Sequence, residues 1–344
     1  MGNLFKMLMH DTSGESKKER SEQVERGYPW ACLGAGVIAF ALTLLVDPVY
    51  TGGDPVLYRY AYDVLGTSTL EHGFFLYSVI LSSTEPVYFV LVWISSHLGV
   101  PREYFIGISS AMLALLATVL LVRRGAASAI AAIIVSSSFY FLLLYTTTER
   151  LKIAVILLIA SMLTIQRPKT AVAFAFLATA AHIQVSLLYS SILMVYMSRQ
   201  LRQAVIDKVL PPNTIGTIIV ALIVIAASYF LLGDQIYAKS ISYVGLGEQS
   251  DLIMVAPFYF LSLFYTRRYV EVTLLFIPIF ILTPMIGYGR LNIFSYFIFL
   301  YYAVGVRKGL NLGIALTTIY FGYSSYAFVT RIIDFGDPLL VGSQ

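Results

Sequence analysis

The chain has 344 residues, 58% hydrophobic, 14% aromatic and only 12% charged, with formal net charge +4 and mean hydropathy +0.79. Soluble domains average about 25% charged residues, so the composition excludes a soluble globular protein and predicts an all-α, polytopic membrane protein. The single cysteine, Cys32, lies in an apolar run, which excludes internal disulfides and cysteine-based metal sites.

Residues 1–27 are polar, with five Lys/Arg balanced by five Asp/Glu, and lack the apolar core and cleavage site of a signal peptide. They are expected to be a cytoplasmic tail, with 28–344 forming a single transmembrane domain. Apolar runs of near membrane-spanning length fall at about 29–46, 104–122, 126–145, 151–166, 214–232, 253–266, 270–286, 291–306 and 309–329. Two further segments parse less simply. Residues 72–99 are apolar but broken by Ser82-Ser83-Thr84-Glu85-Pro86, and 170–197 is long for one span and centred on His182.

The positive-inside bias arbitrates between parses. Basic clusters at Arg123-Arg124, Arg167/Lys169, Arg199/Arg202/Lys208, Arg267-Arg268 and Arg307-Lys308 all become cytoplasmic under two conditions. Residues 72–99 must lie on or dip into the outer face, and 170–197 must form a helical hairpin whose tip, near His182, is outside. The result is about 11 transmembrane helices, N-terminus inside. Lys/Arg then outnumber Asp/Glu sixteen to seven inside, and are outnumbered seven to twelve outside. The rival parse makes 170–197 one tilted span. No internal repeat of the kind common in transporters is evident.

The first outer loop, 47–103, contains Tyr50-Thr-Gly-Gly-Asp-Pro, a turn-forming cluster. Asp54 stands where a helix N-cap is expected, with Pro55 at the first helical position. Tyr58 and Tyr62 follow four apart on one helical face. Glu85-Pro86 opens a second helix. The same face gathers Glu149, Arg150, Lys152, His182, Arg290 and Arg331.

A charge or an imidazole at membrane depth needs a partner or a task. The ordinary explanations are capping for Asp54, dipole complementation for Glu85, lipid-phosphate snorkelling for the arginines and packing for His182. Convergence on one face favours chemistry. Arginines suit diphosphate, in which role Arg150, Arg290 and Arg331 are the candidates. A carboxylate, Glu85 or Asp54, suits deprotonation of a hydroxyl, and His182 a contact to diphosphate or acceptor sugar. Tyr58 and Tyr62 offer stacking faces for sugars. No Walker motif, Gly-x-Gly-x-x-Gly or metal-ligand spacing occurs, so no cofactor and no nucleic acid is implied; the first-loop acids suit weak divalent-metal binding at most.

Four segments, Asp54-Pro-Val-Leu-Tyr58, Glu85-Pro86, Arg150-Leu-Lys-Ile-Ala154 and His182-Ile-Gln-Val-Ser186, occur in an order that resembles the EpsG/Wzy-like polysaccharide polymerases. Arg290 followed by Tyr296-Phe297 is similar to that family's late arginine and aromatics. The first-loop layout also resembles GT-C-type membrane glycosyltransferases, whose juxtamembrane helices follow span one. Glu149 and Leu151 depart from the family, which often carries a neutral residue and Gln there.

The resemblance implies a bacterial inner-membrane enzyme of O-antigen or exopolysaccharide synthesis with its site facing the periplasm. It would move a growing glycan from undecaprenyl diphosphate to the terminal hydroxyl of another lipid-linked repeat. A chain-length regulator protein is among the partners so implied. The alternatives are another glycosyltransferase or ligase with a polyprenyl-linked donor and, in a different class, a flippase or transporter of lipid-linked oligosaccharide.

Overall fold

A computed structural model describes residues 28–207 and 248–338, all helical with no strand among them. The expected tail 1–27, Lys208, the expected span 214–232 and residues 339–344 lie outside the described residues. Contacts divide the chain into two compact units, one from residues up to 185 together with 304 onward, the other 186–303.

The first unit opens with α1 (Tyr28–Val46), followed by three shorter helices, α2 (Gly53–Leu65), α3 (Leu70–Leu81) and α4 (Pro86–His97). Then come α5 (Arg102–Arg123), α6 (Ser128–Ser137), α7 (Phe139–Thr146), α8 (Glu149–Leu163) and α9 (Pro168–Ala181). In the second unit, α10 (Val185–Asp207) precedes α11 (Leu252–Phe264), α12 (Tyr269–Ile286) and α13 (Tyr288–Ala303). The final helix, α14 (Leu312–Phe335), returns to the first unit.

Local chemistry explains several boundaries. Pro86 and Pro168 start α4 and α9, where a missing N–H costs nothing. The Asn311 side chain caps α14 by accepting from the Ile314 N–H at 3.1 Å, and Gly336 at φ 72° ends that helix in the left-handed region.

The expected eleven spans are not what the described residues present. By length and composition, three helical segments are long and apolar enough to cross a membrane, or five if each of two bent pairs counts as one span. Apolar content alone overstates the number, because breaks cut the runs into helices shorter than the roughly 20 residues a bilayer requires. The 126–145 run divides at Ser138, whose extended backbone bends α6 against α7 by 58°. The 72–99 segment bends by 115° between α3 and α4 and so does not run straight across. The coarse reading stands: several apolar helices of a membrane-embedded, all-α protein.

In the first unit α1 packs along α5 through small residues. A Cβ on Gly36 would stand 3.4 Å from the Ala111 carbonyl oxygen, and one on Gly107 only 2.9 Å from the Phe40 ring. Helices in lipid gain from such close approach, since apolar burial alone gives little drive there. α8 packs against both α5 and α9, and α4 against α9 and α2.

Chain direction sorts the charges. One end of the unit collects Asp47 after α1, Arg102 at the start of α5, Thr146 at the end of α7, Glu149 and Arg150 at the start of α8, and His182 after α9. The end of α14 joins them, because the Thr51 and Gly52 N–H groups donate to the Gly336 carbonyl at 2.8 and 3.1 Å. At the other end Arg123 donates to the Leu163 carbonyl and the Ala127 N–H to the Lys308 carbonyl. The second unit packs α11 on α13 and α12 and carries an ion-paired group of Arg199, Arg268 and Glu271.

Candidate functional site

Glu85 is the hub of the site. Its position follows from the turn at 82–85, where Ser82 takes φ 46° and ends α3 in the left-handed region. That conformation is uncommon for a residue other than glycine and costs on the order of 1 kcal/mol. Glu85 is the N-cap of α4, yet its side chain makes no capping bond. A carboxylate beside the open N–H groups of a helix N-terminus ordinarily turns to them; this one turns away, into the protein.

Three donors meet there. Arg150 Nη1 donates to Oε2 of Glu85 at 2.8 Å, Ser83 Oγ donates to the same oxygen at 2.7 Å, and Nδ1 of His182 lies 2.6 Å from Oε1. Glu85 is only 4% exposed and His182 9%. Arg150 is held a second time, its Nε donating to the Tyr58 hydroxyl at 3.1 Å, with its guanidinium carbon 5.8 Å from the Tyr58 ring centre. The Tyr58 ring stands edge-on to Tyr88 at 5.9 Å. Burial pushes the Tyr58 hydroxyl well above the usual tyrosine range, with the Arg150 cation pulling it partly back.

A carboxylate that receives a guanidinium and a hydroxyl on one oxygen is an acceptor, so the His182 contact is an Nδ1–H donation to it. In the neutral imidazole that donation places the lone pair on Nε2. The backbone supports the orientation: His182 follows α9 in extended conformation, φ −161° and ψ 120°, its N–H closing the helix on the Ala178 carbonyl. On Arg150, Nε and Nη1 are engaged, while Nη2 bonds to none of the described residues.

A second, fully buried charge cluster lies behind this hub. Arg102 Nη1 donates to both carboxylate oxygens of Asp47 at 2.9 Å, and its Nη2 pairs with Oε1 of Glu149. The Tyr88 hydroxyl donates to Oε2 of Glu149 at 2.6 Å. Arg59 reaches Asp47 from the rim at 3.4 Å. On α8, Lys152 is 1% exposed, and its Nζ donates to the Ile106 carbonyl, Ser110 Oγ and the Tyr145 carbonyl at 3.0–3.3 Å.

Four of the residues singled out in the sequence therefore meet: Glu85, Arg150, His182 and Tyr58. Others do not. Asp54 is exposed in the first turn of α2 and is not the N-cap, which is Gly52; with Gly53 at φ 58° the turn begins earlier than the Asp-Pro pair suggests. Tyr62 donates to the Val100 carbonyl at 2.8 Å and packs on Phe105, so its hydroxyl serves the loop before α5. Burial pushes that hydroxyl up to about 12. Arg331 is exposed near the end of α14 and pairs with none of the described residues. Arg290 lies in the first turn of α13, and its side chain falls outside the described residues.

The break expected at His182 is present, although the following helix runs to Asp207 instead of ending near 197. Sequence reasoning gave no role to Arg102, Asp47, Ser83 or Tyr88. For Arg102 and Asp47 the only signal was charge at the ends of apolar runs, which does not reveal partners 47 and 55 residues apart; Ser83 and Tyr88 gave none. Among the described residues no three His, Cys, Asp or Glu side chains stand together as a metal-binding group.

No protein-family model, curated protein or solved structure matches this chain.

Proposed function

We propose that the protein is a membrane glycosyltransferase of the Wzy-type polymerase kind. On this reading it joins lipid-linked oligosaccharide repeats at the periplasmic face of a bacterial inner membrane, in O-antigen or exopolysaccharide synthesis. The observation that carries the proposal is the double contact of Glu85, which holds an arginine with one oxygen and a histidine with the other. Such a unit offers a cationic edge and a proton acceptor side by side, the two things glycan transfer from a lipid diphosphate requires.

In the proposed reaction Nε2 of His182 takes the proton of the acceptor sugar hydroxyl as its oxygen bonds to the anomeric carbon of the growing glycan. The bond from that carbon to the diphosphate oxygen breaks, and undecaprenyl diphosphate leaves. Arg150 Nη2 faces the charge that develops on the leaving oxygen. Glu85 orients both groups and balances the imidazolium, so the base is His182 and not Glu85 or Asp54. Support for an outward-facing site comes from charge: basic residues Arg123, Arg167 and Lys308 cluster at the opposite end of the unit, where the positive-inside bias puts the cytoplasm. A GT-C-like layout is supported by the short, sharply bent α2–α4 segment after the first span.

A second reading, a transferase using a polyprenyl monophosphate donor, is favoured by one observation. Among the described residues Arg331 pairs with none, and Arg150 is the arginine bonded to Glu85 within this unit. The deciding experiment presents purified protein in vesicles with synthetic repeats carried on undecaprenyl diphosphate or on undecaprenyl monophosphate. Polymer from the diphosphate donor, lost in Arg150→Ala and His182→Ala, is the expected result. Transfer from the monophosphate donor alone selects the second reading, and no transfer from either rejects both.

A further inference from the structure

Behind the hub lie two carboxylates, Asp47 and Glu149, and two cations, Arg102 and Lys152, all buried. Glu149 immediately precedes Arg150, and its carboxylate is near enough to Tyr58 to act on that hydroxyl electrostatically. Arg150 thus bonds to Glu85 and to the Tyr58 hydroxyl on which the charge of Glu149 also acts. In the observed arrangement the choice is made: Glu149 is saturated by Arg102 on one oxygen and Tyr88 on the other, and Arg150 goes to Glu85.

We infer that Arg102 is a positioning residue for the site: by neutralising Glu149 it keeps that carboxylate from capturing Arg150, and so preserves the Arg150–Glu85–His182 unit. The geometry is specific. Arg102 grips Asp47 with one nitrogen and Glu149 with another, tying the end of α1 to the start of α8. Lys152, one turn beyond Glu149, fastens the same face of α8 to α5 through Ile106 and Ser110. With that face pinned, Arg150 projects towards Glu85. Removing one member of a buried ion pair leaves the other charge uncompensated, whereas removing both is often tolerated. Lys152 also acts electrostatically on Glu149, but its Nζ already donates to the Ile106 carbonyl, Ser110 Oγ and the Tyr145 carbonyl. An unpaired Glu149 would therefore turn to its sequence neighbour Arg150.

The inference deepens the proposed function and rests on it for the activity arm, so the test has a second arm independent of catalysis. In the activity arm, Arg102→Gln is expected to lower polymer formation by about 10-fold or more, and the double variant Arg102→Gln/Glu149→Gln to recover to within about threefold of wild type. The second arm is a set of double-mutant cycles read as thermal midpoints in detergent. In the wild-type background Arg150→Gln and Glu85→Gln should be strongly non-additive. In the Arg102→Gln background that coupling should move to the pair Arg150 and Glu149. Coupling that stays between Arg150 and Glu85 in Arg102→Gln overturns the inference, as does a double variant no more active than the single one. A protein with the expected shift in coupling but no polymerising activity in any form sustains the inference and rejects the proposed reaction. Should Arg102→Gln alone fail to accumulate, the double variant still decides: its accumulation supports the inference, and its failure points to a purely structural clamp.

Discussion

Nδ1 of His182 lies 2.6 Å from Oε1 of Glu85, a contact between side chains 97 positions apart. It joins the end of α9 to the turn before α4. With the carboxylate accepting at Nδ1, the imidazole presents Nε2 as its basic nitrogen, the arrangement by which an acid–histidine pair orients a general base.

Replacing Glu85 by Gln keeps the shape and removes the charge that balances an imidazolium. Turnover is expected to fall by about 10²-fold or more, with KM rising less than about threefold. Steady-state transfer in reconstituted vesicles measures this. A variant with near-normal turnover removes the dyad from the mechanism.

Arg150 uses two different nitrogens on two different partners, Tyr58 and Glu85. A lysine has one nitrogen and no fork, so Arg150→Lys should fail nearly as badly as Arg150→Ala, each losing about 10²-fold. Both should still accumulate in the membrane. The readout is chain length of surface polysaccharide on a gel; wild-type lengths in the lysine variant contradict the two-point grip.

Arg331 and Asp54 are exposed and lie outside the hub. Arg331→Ala and Asp54→Ala are each expected to stay within about twofold of wild-type activity and melt normally, as surface substitutions away from special features do. A collapse of activity in either one would bring it back into the site and enlarge the substrate-binding surface beyond the Glu85 hub.

The Tyr62 hydroxyl, pushed up to about 12 by burial, donates to the Val100 carbonyl only while protonated. Because the folded state holds this proton more tightly than the unfolded chain, the stabilisation is fully present below pH about 10 and is lost as pH rises towards about 12. The melting gap between wild type and Tyr62→Phe should therefore be constant through neutral pH and close above pH about 10. Thermal scans in detergent from about pH 7 upward measure that gap.

Much of the site was readable in the sequence because its members are costly where they stand. Glu85 precedes a helix-starting proline, Arg150 interrupts an apolar run, and His182 breaks a segment otherwise fit to be one helix. Each anomaly marks a position, and the order of the runs brought the three to one face. What stayed hidden was pairing. Nothing local shows that Arg102 belongs to Asp47 and Glu149, or that Glu85 ignores its own helix. The span count failed for a related reason: hydropathy integrates over a window and does not register a bend such as that at Ser138, whereas the break at 82–85 was marked by its own polar run. Asp54 misled because Asp-Pro is a general helix opener, and here Gly52 and Gly53 begin the turn sooner.

The bond from Thr51 and Gly52 to the Gly336 carbonyl has a mechanical consequence. It stitches the exit of the last helix to the linker that leads into α2, the helix bearing Tyr58. Tension applied beyond Gly336, by a tether or an immobilised tag, is delivered first to that linker and from it to the tyrosine that grips Arg150. The C-terminal side of this protein is therefore a handle on its site, and a poor place to pull if the site is to be left undisturbed.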